Sequence, residues 1–253
     1  DAQQLSDYAD MSRSLIKENY SVGRMAADAH RVYCEVQYSG LKKFDFLLCG
    51  YYGYNNSGDD AMQNAAIKNL LARDPDCRIC VLTKNPLVPE DGVCASISRF
   101  SLFGVMKAIR YSRVMLFGGG NLIQDATSTK SLLYYLWLLN VAQTFKIKTM
   151  LYANGIGPID KWIGQKLSGK VLDKTDVITL REENSLKLLQ KIGACSPYIE
   201  ITADEVLTLF DEPRITKESG YIAVALRDWK SLDPKFNKKL SKALDSISKT
   251  FNK

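Results

Sequence analysis

The residues best suited to chemistry fall in short, glycine-containing stretches. The first, Gly50 to Asp60, carries Tyr52, Tyr54, Asn56 and Asp59 around Gly53 and Gly58. Carboxylates and side-chain amides suit sugar hydroxyls, and tyrosines offer aromatic faces or phenolic hydroxyls. Spacing excludes two familiar phosphate loops. The glycines do not form G-x-G-x-x-G, and Gly58 is followed by Asp59 and Asp60 where a P-loop carries lysine. Two acids there would repel a polyphosphate. They also have a structural reading, because acids in a first helical turn complement the dipole and Ser57 with Asp60 forms a capping box. Packing is the corresponding alternative for the tyrosines.

A second stretch runs Gly118, Gly119, Gly120, Asn121 and on to Asp125. Three glycines let a ligand approach the backbone closely, and successive N–H groups can form an anion nest. Asp125 suits a hydroxyl, acid–base work or the capping of the next helix. In the third stretch, Tyr152 to Pro158, Asn154 is the polar group best placed to face a cleft, beside a turn set by Gly155, Gly157 and Pro158. Arg181 and Arg227 each follow an apolar run, where a guanidinium can grip a phosphate or carboxylate. For Arg181 the alternative is an ion pair with Glu182, Glu183 or Asp204.

Elements that alternate along the chain must position these residues. Apolar runs at Phe44–Cys49, Cys77–Thr83, Val93–Ile97, Val114–Phe117, Thr149–Ala153, Val177–Leu180 and Tyr198–Ile201 read as strands. Between them, Asp59–Arg73, Leu102–Tyr111, Ser128–Phe145, Trp162–Lys174 and Glu182–Ile192 read as helices. Continuous apolar strands separated by helices imply an α/β, Rossmann-like parallel sheet with helices on both faces. Ligands of such sheets bind at the carboxyl ends of the strands, where the three stretches and Arg181 fall. Residues 1–40 are expected to form a helical extension, with the main domain at 43–212. A linker from 213 leads to Tyr221–Leu226 and Pro234–Phe251, the first strand–helix unit of an incomplete second domain.

Composition narrows the class further. The chain of 253 residues is 46% apolar and 25% charged, with a net charge of +6. That is the profile of a soluble globular protein. The longest apolar stretch, Leu132–Leu139, is far shorter than the roughly 20 residues that span a bilayer. The N-terminus lacks a signal pattern, so a cytoplasmic chain is expected. Lysines 235, 238, 239, 242, 249 and 253 concentrate charge near the C-terminus, as a solvated helix face or for contact with an anionic membrane or phosphorylated substrate. No basic–aromatic pattern points to nucleic acid. Six cysteines, including Cys77 and Cys80, lie mostly in strand-like runs and suit reduced, structural roles, and no second pair completes a zinc site. The single histidine, His30, lies outside the main domain.

Taken in order, Gly50–Ala66, Leu116–Tyr135, Met150–Pro158, Val177–Ser185, Ile201–Val206 and Ala223–Trp229 resemble the polysaccharide pyruvyl transferase family. The resemblance implies a two-domain, glycosyltransferase-B-like architecture with the active site between the domains. It also implies transfer of pyruvate from phosphoenolpyruvate to a sugar as a ketal, with no cofactor. In the branch it resembles, the acceptor is an N-acetylmannosamine unit of a lipid-linked cell-wall precursor, so a peripheral contact at the inner membrane face is expected. Arg181 and Arg227 would hold the donor. Tyr52, Tyr54, Asn56, Asp59, Asn121, Asp125 and Asn154 would guide hydroxyls beside Gly118, Gly119 and Gly120. Family members extend past Trp229 into a basic segment with Arg and His that supplies acid catalysis, so this chain is expected to be an excerpt, inactive alone. Met11, Ser12, Arg13, Tyr20, Met25 and His30–Tyr33 resemble the closing helices of a family-4 glycosyltransferase. A nucleotide-sugar glycosyltransferase domain and a non-catalytic glycan-binding module are the alternative functions.

Overall fold

A computed structural model describes residues 42–86, 93–210 and 235–251. The helical extension expected over 1–40, the strand at Tyr221–Leu226 and Arg227 lie outside the described residues. The chain divides into two compact units, Asp1–Asp211 and Glu212–Lys253.

The first unit is a Rossmann-like α/β domain. Its strands are β1 (Phe44–Cys49), β2 (Ile79–Thr83), β3 (Val93–Ser98), β4 (Ser112–Phe117), β5 (Gly120–Ile123), β6 (Lys148–Ile156), β7 (Val177–Leu180) and β8 (Tyr198–Ile201). Its helices are α1 (Ser57–Arg73), α2 (Leu102–Arg110), α3 (Thr129–Thr144), α4 (Trp162–Leu172) and α5 (Glu183–Lys191), and a 3-10 turn covers Glu205–Leu209. The sheet order is β3-β2-β1-β4-β6-β7-β8, and β5 joins β6 off this path. Every described strand pair is parallel. The order turns back at β1 and β4, which makes their carboxyl ends the topological switch point where ligands of such folds bind.

Two apolar cores fill the two faces. On one, Leu47, Leu82, Met115, Phe117, Leu151 and Ile178 meet α2 to α5 through Val105, Leu132, Leu139, Leu172 and Leu189. On the other, Leu48, Val81, Leu116 and Met150 meet α1 through Ala66, Ile67 and Leu70. Each fully buried leucine or isoleucine contributes about 1.5–3 kcal/mol. Strands buried on both faces explain why their sequences are continuously apolar rather than alternating.

The elements differ from the sequence expectations in instructive places. β5 falls in a glycine-rich stretch that reads as loop. β6 runs on to Ile156, through Asn154 and Gly155. Helix α1 is capped by Asn56, whose Oδ1 accepts from Gly58 N at 3.2 Å. That places Ser57 inside the helix rather than at a capping box. In the second unit, α6 (Phe236–Phe251) half-buries Phe236, Leu240 and Leu244 and exposes Lys238, Lys239 and Lys242. The spacing of four lines the apolar residues on one face.

Candidate functional site

The carboxyl ends of the strands are stitched together by backbone bonds that run past the ladder. Lys84 N donates to Tyr52 O, Arg99 N to Thr83 O, Gly118 N to Cys49 O and Thr202 N to Leu180 O, at 2.6–3.1 Å. The loops at this edge therefore start from fixed positions.

The triglycine turn sits at the centre, after β4. Its glycines are required by close approach. A Cβ on Gly118 would overlap the Tyr52 hydroxyl, and one on Gly119 would lie 2.7 Å from Glu205 Oε1 and 2.9 Å from Met62 Sδ. Gly120 adopts φ +99°, a left-handed conformation open to glycine. The expected anion nest does not form from the first two amides. Gly118 N is used by Cys49 O, and Gly119 N donates to Glu205 Oε1 at 2.6 Å. A protein carboxyl group takes the place an external anion would have had.

Glu205 is the principal residue that sequence reasoning missed. It opens the 3-10 turn after β8 and is fully buried. Burial pushes its carboxyl well above the usual range, against the stabilising Gly119 N–H. Its Oε2 has no hydrogen-bond partner, and neither does the hydroxyl of Tyr52. Tyr52, also buried, has its phenol pushed up by burial and then by Glu205. The only sequence signal was an acid directly after Asp204, and nothing there shows that one of the pair turns inward.

Asp59, expected to guide a hydroxyl, lies in the first turn of α1 and faces the same turn. A Cβ on Gly120 would be 3.6 Å from its Oδ1. Burial and then Asp60 raise its pKa, with Arg181 opposing. Arg181 follows β7 and donates from Nη1 to Asp204 Oδ2 at 2.6 Å and from Nη2 to Asn121 Oδ1 at 3.4 Å. Of its three candidate partners, the structure selects Asp204. Asn121 in turn donates to Gly157 O at 3.1 Å. Asp59, Gly120, Asn121, Arg181 and Asp204 thus form one polar group over the switch point.

Asn154 and Asp125 are placed elsewhere than expected. Asn154 is fully buried, and its Nδ2 donates to Phe117 O, Gly118 O and Tyr152 O at 2.9–3.0 Å. It clamps the triglycine turn from beneath rather than facing a cleft. The neighbouring Ala153 has φ 51°, a strained conformation for a residue with a Cβ, and Thr179 Oγ1 accepts its N–H at 2.7 Å. Asp125 accepts from the N–H groups of Asp160 and Lys161 at 2.9 and 3.1 Å. It ties down the entry to α4, not to the next helix, which Ser128 caps.

The remaining aromatic residues gather at the other half of this edge. Tyr54 is half-buried and stacks on Tyr51, with ring centroids 3.9 Å apart. Arg99, not singled out in the sequence, follows β3 and is 9% exposed. Its guanidinium lies 4.7–5.5 Å from the ring centroids of Tyr134, Tyr135 and Tyr54. Asn56 remains at the surface as the cap of α1. Among the described residues no three His, Cys, Asp or Glu side chains converge as metal ligands. None of the described helices is long and apolar enough to cross a membrane.

The arrangement brings carboxylates, amides, held cations and aromatic surface to the switch point of a parallel sheet. No curated protein matches the chain. The family profile described as polysaccharide pyruvyl transferase matches residues 56–252, well over half of the chain, from the cap of α1 through the last helix. The chain belongs to the polysaccharide pyruvyl transferase family.

Proposed function

We propose that this chain takes part in pyruvyl transfer from phosphoenolpyruvate to an N-acetylmannosamine unit of a lipid-linked cell-wall precursor. In that reaction the enol carbon of the donor gains a proton. One sugar hydroxyl then adds to the neighbouring carbon, phosphate leaves, and a second hydroxyl closes the ketal. Two hydroxyl protons must be accepted, and the donor's carboxylate and phosphate must be held. The acceptor would bring the chain to the inner membrane face as a peripheral contact.

One observation carries this reading: Asp59, Asn121, Asp204 and Arg181 meet over the switch point within a chain of this family. Asp59, with its raised pKa, suits the acceptance of a hydroxyl proton. Arg181, oriented by Asp204 and Asn121, suits the donor's carboxylate. The hydroxyl-guiding roles of Tyr54 and Asn56, and the donor-binding role of Arg227, belong to the same proposal.

The test is release of phosphate from phosphoenolpyruvate with and without a disaccharide diphosphate that ends in N-acetylmannosamine. Release that needs the sugar, together with a pyruvylated product by mass spectrometry, is the expected result. Release that ignores the sugar, or pyruvylation of unrelated glycans only, would sink the assignment.

A further inference from the structure

Arg99 is a buried cation with no anion to match it. Its Nη1 donates to Gly50 O at 3.4 Å and its Nη2 to the Tyr135 hydroxyl at 3.3 Å, both long. A guanidinium has five N–H donors, and these are its only hydrogen bonds among the described residues. No described carboxylate pairs with it. The groups around it stay neutral: burial raises the phenols of Tyr134 and Tyr135 and pushes the Cys49 thiol up to about 12. Aromatic rings attract a cation through their quadrupoles but do not cancel its charge. Charges this deeply buried are ordinarily paired.

A second cation comes to the same place. Lys84 Nζ lies 4.9 Å from the Tyr54 ring centroid, and Arg99 Cζ lies 5.5 Å from it. Tyr51 covers the opposite face of Tyr54 in a near-parallel stack, so both cations approach the face that remains. Lys84 also has no carboxylate partner among the described residues. Both are fixed by the backbone, because Lys84 N donates to Tyr52 O and Arg99 N to Thr83 O. Two cations held against one neutral ring repel each other unless something anionic joins them.

We propose that Arg99 and Lys84, walled by Tyr54 and Tyr134, form a subsite for a phosphoryl group at the carboxyl ends of β1 to β3. Planar, rigid Arg99 suits the two oxygens of a phosphate edge, and Lys84 adds a point charge. The choice of phosphoryl compounds rests on the function proposed above. That reaction supplies phosphate groups from two sources, the donor and the acceptor's diphosphate.

The experiment is calorimetric titration of the full chain and of Arg99→Gln with phosphoenolpyruvate, the disaccharide diphosphate and the same disaccharide without phosphate. Arg99→Gln is expected to weaken at least one phosphorylated probe about 10-fold or more, the scale of a lost charge-assisted bond, and to leave the phosphate-free sugar unchanged. Loss for phosphoenolpyruvate assigns the subsite to the donor, and loss for the diphosphate assigns it to the acceptor. If Arg99→Gln does not fold by circular dichroism, the exposed Lys84→Gln is the substitute, with an expected weakening of roughly 3-fold. Equal binding of both phosphorylated probes by parent and variant overturns the subsite, as does a parent chain that binds neither. A chain that binds these probes through Arg99 yet forms no ketal keeps the subsite and removes the proposed reaction. Ketal formation with unchanged binding in Arg99→Gln does the reverse.

Discussion

The two ends of the one parallel sheet treat charge in opposite ways. At the amino ends every prominent carboxylate is supplied with donors. Asp45 accepts from Arg78 N and Nε at 2.9 and 3.1 Å and pairs with Arg113 at 3.3 Å. Asp176 accepts from Lys148 Nζ and Thr149 N at 2.8 Å. Burial works against the Asp45 carboxylate, but the bonds and charges of Arg78 and Arg113 outweigh it and hold its pKa low. At the carboxyl ends Glu205 and Asp59 have raised pKa values. Arg99 meets rings instead of carboxylates, and the hydroxyl of Tyr52 has no partner. Both ends hold ion pairs, Arg181 with Asp204 among them, but among the described residues it is the carboxyl ends that enclose a cation, Arg99, among rings with no carboxylate beside it.

The sharpest way to break this comparison is at the amino end. Asp45→Ala removes the carboxylate that lies 3.3 Å from Arg113, which is 6% exposed. Loss of one partner from a buried pair costs about 3–5 kcal/mol, read as a lowered urea midpoint. Asp45 has a lowered folded pKa, so its contribution is present above about pH 4, its unfolded value, and is lost as pH falls through the folded value. A variant as stable as the parent at pH 7 would show that Asp45 is not the keystone described here.

At the carboxyl end the next effect is steric. Gly119→Ala drives a methyl group against Glu205 and Met62, and overpacking of this kind costs about 1–3 kcal/mol. Activity should fall further than stability, because the turn carries Gly120 and Asn121 into the site. Unchanged unfolding and unchanged turnover would mean that Glu205 does not hold the turn.

Glu205→Gln tests the protonation state, with the opposite pH sign from Asp45. Near pH 4 and below, Glu205 is neutral in both folded and unfolded chains. As pH rises past its unfolded value of about 4.3, the unfolded chain ionises while the folded chain does not. Parental stability therefore declines relative to Gln until the folded pKa is passed. A parent–variant difference that stays flat from pH 4 to 8 contradicts a neutral Glu205. The smallest effect is expected for Tyr52→Phe. Removal of a buried hydroxyl with no partner should change stability by less than about 1 kcal/mol, or raise it. A larger loss in chemical denaturation would reveal a bond that the hydroxyl makes.

The sequence was most legible where one physical rule governs many residues. Buried parallel strands are apolar almost throughout, so Phe44–Cys49 and Val177–Leu180 agree with the structure to the residue, as does the more exposed edge strand Tyr198–Ile201. The family resemblance, built on ordered loops, is likewise matched by the profile over residues 56–252. Legibility failed where direction decides. Asn154, in a stretch that reads as a loop, lies in β6 and turns inward to backbone carbonyls, and Asp125 accepts from the N–H groups of Asp160 and Lys161. Asp204 and Glu205 are chemical near-twins, yet one faces Arg181 and the other is enclosed beneath Gly119. Nothing in the sequence singles out Arg99, which stands between a strand and a helix. Only the fold brings Tyr54 and Tyr134 to it from both directions along the chain. Gly120–Ile123 pairs with β6 although glycine propensity argues against a strand, a case of tertiary pairing overriding local preference.

Backbone hydrogen exchange, followed by mass spectrometry, most directly tests whether the carboxyl ends are the unfinished, ligand-binding end of the sheet. The chain would be compared alone and with phosphoenolpyruvate plus the disaccharide diphosphate. Added protection over residues 50–60, 118–123 and 179–182, with none over 42–46, 111–114 and 173–177, is the result this account predicts. Protection confined to the amino-end segments, or none in either set at saturating ligand, would contradict it.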